Sequence, residues 1–68
     1  MMTIGEAMRK ARVSRGITQK QLSKLSGVNH ISISKYECGD RVPGLLTAWS
    51  IADALGMSID TLVGRCGA

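Results

Sequence analysis

The sequence predicts an all-α domain of five short helices. Capping residues and glycines bracket five segments in matched pairs, and apolar residues within the segments recur at three- and four-residue spacing. No stretch alternates apolar with polar residues as a half-buried strand would. In the first segment Thr3 and Glu6 have capping-box spacing, and Gly16 can close the helix in the left-handed conformation. Ile4, Ala7, Met8 and Ala11 fall on one face of it. Thr18 with Gln21 forms a second capping box, Ile17 and Leu22 stand at the staple positions, and Gly27 ends that helix. Asn29 caps the third, with Val28 and Ile33 as its staple and Gly39 as its terminator. After Pro43, Gly44 starts a fourth helix with Leu45, Ala48, Ala52 and Leu55 on one stripe, ending at Gly56. Ser58 caps a last short turn containing Ile59 and Leu62, before Gly64. The domain therefore covers residues 1–64, and residues 65–68 form a short tail.

Sixty-eight residues allow a single domain with a small core. The only cysteines are Cys38 and Cys66; one bridge between them would be a thin framework, and two reduced thiols are expected instead. His30 is the sole histidine, and no residues have zinc-ligand spacing, so neither metal nor cofactor is expected. Residues 1–11 lack an apolar run and carry Arg9 and Lys10 at the wrong end for a secretory signal. No apolar stretch is long enough to span a bilayer. A cytoplasmic protein with no membrane partner is expected. An enzyme is not: there is no Ser/His/Asp or Cys/His set and no phosphate-cradling loop.

Charge is polarised along the chain. Residues 9–41 carry Arg9, Lys10, Arg12, Arg15, Lys20, Lys24, Lys35 and Arg41 against Glu37 and Asp40, a net +6, while residues 42–68 sum to −1. A polyanion partner and a solvated basic face fit that distribution equally well. The segment from Thr18 to Gly39 adds a geometric argument. Two helices joined by a tight glycine turn can lay one helix across a DNA backbone and hold the next in the major groove. Leu22, Ile33 and Tyr36 point inward, and Ser23 is small where the two helices approach. Asn29, His30, Ile31, Ser34 and Lys35 are left on the outer face of the third helix.

The order of these fragments resembles the helix-turn-helix family of Cro/C1-type repressors, the xenobiotic-response-element type of bacterial regulator. The fragments are Ile4-Gly5-Glu6, Gly16-Ile17-Thr18-Gln19, Leu22 to Val28, Ile33 to Glu37 with Gly39, Arg41 with Pro43, Ile51-Ala52, Ala54 to Ser58, and Asp60 with Leu62. The resemblance implies a five-helix, lambda-repressor-like DNA-binding domain with its helix-turn-helix at 18–38. It also implies a regulator, more particularly a repressor, of double-stranded DNA targets.

At matching positions it implies that Asn29, His30, Ile31, Ser34 and Lys35 meet base edges. Asn29 can pair bidentately with adenine, Lys35 can donate to guanine, and Ile31 can touch a thymine methyl. Gln19, Ser32 and Arg41 would contact phosphates, with Gln19 also bracing the recognition helix. Arg12 and Glu37 match a salt bridge between the first and third helices, so Arg12 is structural in this reading. Four positions depart from the family pattern. Ala11 replaces a larger aliphatic residue, Ser23 an alanine, Gly44 a Ser/Thr cap, and Cys38 a basic or amide residue near the DNA backbone.

A second surface is expected on the fourth helix, where Leu46 and Trp49 lie beside the core stripe as a core rim or a dimer contact. Relatives dimerise through C-terminal helices, which favours a homodimer and adds Leu62 and Val63 to the patch. Such a dimer would hold two recognition helices about 34 Å apart and read an inverted repeat. The alternative is a protein-interaction adaptor or antitoxin-like partner that binds protein through Leu46 and Trp49.

Overall fold

In the computed structural model, which describes residues 3–64, helix starts coincide with the side chains able to hold them. α1 (Ile4–Ser14) begins at Thr3, whose Oγ1 accepts from the Glu6 N–H at 3.1 Å while Glu6 Oε1 accepts from the Thr3 N–H at 3.5 Å. α2 (Gln19–Ser26) repeats the device with Thr18 and Gln21, at 3.1 and 2.7 Å. α3 (His30–Cys38) is capped by Asn29 Oδ1, which accepts from the Ile31 N–H at 2.8 Å. α4 (Leu45–Ala54) starts at Gly44 with no side-chain cap. α5 (Ile59–Gly64) is capped by Ser58 Oγ, 3.0 Å from the Thr61 N–H. Each side-chain cap satisfies an otherwise orphaned amide and stabilises its helix by about 1 kcal/mol. No strand occurs among the described residues. The tail at 65–68, with Arg65 and Cys66, lies outside them.

Two glycines set the geometry that matters for function. Gly27 turns the chain between α2 and α3 at φ +75°, and its N–H bonds the Ser23 carbonyl at 2.8 Å. An added Cβ there would meet nothing, so the requirement is conformational rather than steric. Gly5 is required for the opposite reason. A Cβ at Gly5 would overlap the Tyr36 carbonyl oxygen, because α1 lies directly against the backbone of α3. A glycine inside a helix costs helix stability, and here the close approach offsets that cost.

α1 packs on α3 and α5, α2 on α3 and α4, and α4 on α5. The core contains Ala7, Met8 and Ala11 of α1, Leu22 of α2, and Ile33 and Tyr36 of α3. Ile51, Ala52, Leu55 and Leu62 complete it from the C-terminal half, and Ala48 is buried as well. Four of the buried residues are alanines, Ala7 and Ala11 of α1 and Ala48 and Ala52 of α4, and the large side chains that fill the centre are Met8, Leu22, Ile33, Ile51, Leu55 and Leu62.

Two expectations are corrected. Leu45 is mostly exposed, and Ile51 takes its place on the buried stripe of α4. The helix is turned so that Leu45 lies on the flank with Trp49. Leu62, expected in the dimer patch, is completely buried and belongs to the core. α5 has only six residues, and Leu62 is the side chain it buries fully against the rest of the domain.

Candidate nucleic-acid interface

α3 is held from behind and bare in front. Ile33 and Tyr36 anchor its inner side. Its outer side carries His30, Ile31, Ser34, Lys35 and Cys38, all exposed. Residues 31, 34, 35 and 38 follow the i, i+3, i+4, i+7 spacing of one helical stripe. Ile31 is 56 % exposed, although it is a β-branched aliphatic residue that a core could use.

The back of the helix is fixed by a four-residue polar network. Glu37 receives Arg12 Nε on Oε2 at 2.8 Å and Arg12 Nη2 on Oε1 at 3.0 Å, a two-point fork. Arg12 Nη1 also donates to the Ile17 carbonyl at 2.8 Å, and Gln19 Nε2 donates to Glu37 Oε1 at 3.2 Å. One carboxylate thus ties α1, α2 and α3 together. The pair is withdrawn from water, with 13 % of the Arg12 side chain and 4 % of the Glu37 side chain exposed. The hydrogen bonds to Glu37 hold the Arg12 guanidinium above its ordinary pKa, with partial burial opposing and the charge attraction adding.

The remaining expected contacts are distributed as follows. Gln19 is half-buried, and one of its two Nε2 hydrogens is engaged with Glu37. The other is left for an outside acceptor. Ser32 is half-buried, and Arg41 is exposed just beyond α3. Lys20 and Lys24 are exposed on α2. Asn29 is exposed, but its Oδ1 is committed to the cap of α3. Bidentate pairing with adenine needs that oxygen as an acceptor, so it would compete with the cap. The free part of Asn29 is its amide donor.

Gly5 is the positioning residue that side-chain periodicity passed over. Its signals were a glycine in the first turn of an otherwise regular helix and its place in the Ile4-Gly5-Glu6 fragment. Cys38 shares the outer stripe with Ile31, and its Sγ donates to the Lys35 carbonyl at 3.4 Å.

Of the residues expected on the second surface, three are exposed. Leu46 is 78 % and Trp49 56 % exposed, Val63 is also exposed, and Leu45 extends the patch along α4. Among the described residues no three His, Cys, Asp or Glu side chains are grouped to hold a metal ion, and no helix is long and apolar enough to cross a membrane.

Five helices in this order, with a left-handed glycine turn between α2 and α3, define a lambda-repressor-like helix-turn-helix domain. Residues 8–62 match the helix-turn-helix family, and the chain belongs to it as a Cro/C1-type member. It is 39 % identical over 64 residues to the cryptic phage CTXphi transcriptional repressor RstR of Vibrio cholerae, covering 94 % of this chain and 57 % of that protein. The chain spans about half the length of the curated relatives it matches. Among solved structures, the P22 c2 repressor in complex with a synthetic operator superposes with a TM-score of 0.83 at 31 % identity, covering 91 % of this chain and 94 % of that one. The restriction-modification controller protein C.AhdI of Aeromonas hydrophila gives 0.84 at 29 % identity, covering 87 % and 89 %.

Proposed function

We propose that the chain is a sequence-specific, double-stranded DNA-binding transcriptional regulator that acts as a repressor. The observation that carries this reading is the exposed outer stripe of α3, backed by a part-buried network that ties the helix to α1 and α2. Lys35, His30, Ser34, Ile31 and the Asn29 amide meet base edges. Gln19, Ser32 and Arg41, with exposed Lys20 and Lys24 nearby, set the register on the phosphates. The repressor relatives and the operator-bound P22 c2 repressor support the same reading. Repression follows from occupying a site that polymerase needs.

The exposed patch of Leu45, Leu46, Trp49 and Val63 supports a homodimer, which would place two recognition helices one turn of duplex apart on an inverted repeat. The same patch supports the alternative of an adaptor or antitoxin-like protein with a protein partner. A gel-shift titration against the chain's own promoter region tests the regulator; the alternative, which in its antitoxin form can also bind DNA, is tested by a pull-down from native cells. Specific binding that weakens steeply with salt supports the regulator. Equal affinity for every duplex at every salt concentration contradicts it.

A further inference from the structure

The basic half of the chain holds two cations that the DNA-reading surface does not use. Arg12 is spent on Glu37, and Arg15 donates to the Ala11 carbonyl at 3.1 Å, closing α1. Lys20, Lys24, Lys35 and Arg41 lie on α2 or at α3, where the proposed duplex runs. Arg9 and Lys10 remain. Both are exposed, and among the described residues neither has an ion-pair partner. With Val13 and Ser14 they form the side of α1 opposite its buried Met8 and Ala11. Arg9 is four residues before Val13 and Lys10 three, so both charges flank one aliphatic group that is 57 % exposed. Glu6, one turn earlier on this side, accepts from the Thr3 N–H and hydroxyl at 3.5 and 3.2 Å. An open cleft of about 440 Å³ is lined here by Arg9, Lys10, Val13 and Ser14.

A duplex read by α3 lies in front of that helix, and α1 lies behind it, where Arg12 reaches Glu37. The operator therefore does not supply the anions that Arg9 and Lys10 lack. We propose that this side of α1 is a docking surface for a protein partner, an acidic segment with an apolar side chain at its centre. The apolar side chain covers Val13, and carboxylates within about one helical turn of it, roughly 5–6 Å, pair with Arg9 and Lys10. Arg9 presents a planar fork suited to a carboxylate, and Ser14 a hydroxyl for the segment's backbone. Two features favour a protein over a second nucleic acid. A phosphate backbone has no apolar group for Val13. Two cations also neutralise too few phosphates to hold a duplex, whose binding scales with that number. The surface lies on a different helix from the Leu46 and Trp49 patch, and partner and operator occupy the chain at once, from opposite sides.

The test pans a random peptide library against the full chain, both free and held on a duplex that the chain has selected from a random pool. Enriched peptides should combine Asp or Glu with a neighbouring aliphatic or aromatic residue, and should bind the free and DNA-held chain alike. Arg9→Gln combined with Lys10→Gln should weaken them about tenfold, the loss of two exposed ion pairs. Val13→Ala should weaken them about fourfold for each methyl that loses its contact. All three positions are exposed, so the melting curves should be unaltered. Duplex affinity of the glutamine variant should be nearly unchanged, since salt screens exposed charges beyond about 10 Å. Enrichment of nothing, of peptides without acidic residues, or of peptides that bind the glutamine variant equally well overturns the proposal. So does a loss of duplex affinity in that variant equal to its loss of peptide, which would make Arg9 and Lys10 phosphate contacts.

Discussion

Glutamine in place of Glu37 keeps the shape of the side chain and removes its charge, testing the network behind α3 in isolation. The wild-type carboxylate accepts two bonds from Arg12 and one from Gln19 in a site almost closed to water. In Glu37→Gln the guanidinium keeps its charge and loses its counter-ion, and one amide hydrogen points at a donor. Breaking one side of a buried pair costs about 3–5 kcal/mol. A domain of this size has a total stability of about 3–10 kcal/mol, at the usual 0.05–0.15 kcal/mol per residue. A loss of 3 kcal/mol lowers Tm by roughly 12–24 °C in so small a domain. Thermal and urea melts followed by circular dichroism should show this loss, and the cycle closed by Arg12→Met and the double variant should give a coupling of at least about 1 kcal/mol. A Tm within 3 °C of wild type, or additive single effects, would refute the claim that this network ties α3 to α1 and α2. The sign of the pH dependence is also determined. The folded state raises the Arg12 pKa, so this group's contribution is complete below its unfolded value and is lost only as pH rises through the folded one. The Arg12 charge therefore adds no pH dependence to stability between about pH 5 and 10.

Gly5→Ala should destabilise the fold by about 1–3 kcal/mol despite alanine's better helix propensity, because its methyl must push α1 off the Tyr36 carbonyl; a chemical melt checks this. Asn29→Ala should lose about 1 kcal/mol of stability with the cap, whereas Asn29→Ser should keep most of it and lose the outward amide. Comparing melts with gel shifts of the two variants separates capping from base reading. Leu46→Glu combined with Trp49→Glu should leave Tm nearly unchanged, since both side chains are exposed. If the homodimer proposed above forms through this patch, sedimentation should show a dimer for the wild-type chain and a monomer for the double variant.

The helix ends were legible in the sequence because capping is local: Thr3 with Glu6, Thr18 with Gln21, Asn29 and Ser58 each act within three residues. The face of α4 was not. Leu45, Leu46, Ala48, Trp49, Ile51, Ala52, Ala54 and Leu55 surround that helix with apolar groups, so periodicity alone admits more than one buried stripe. Packing against its neighbours selects Ile51 over Leu45. Leu62 was misplaced because six residues are too few to show a period. The Arg12–Glu37 bridge joins residues 25 apart in sequence, a separation no local pattern reports, and family resemblance alone suggested it. The outer stripe of α3 was readable as the set of residues that packing did not need. Asn29 was read both as the cap of α3 and as a base-contacting residue, and the two roles draw on the same oxygen.

The central claim is that α3 presents its outer edge to a duplex while its back stays locked to α1 and α2. Titrating a selected duplex into isotopically labelled protein and following backbone amide shifts tests it most directly. The account predicts that the largest changes fall on Asn29 to Lys35 and on Gln19, with Ala7, Ile51 and Leu55 scarcely moving. Shifts concentrated on Leu45, Leu46 and Trp49, with α3 silent, would contradict it.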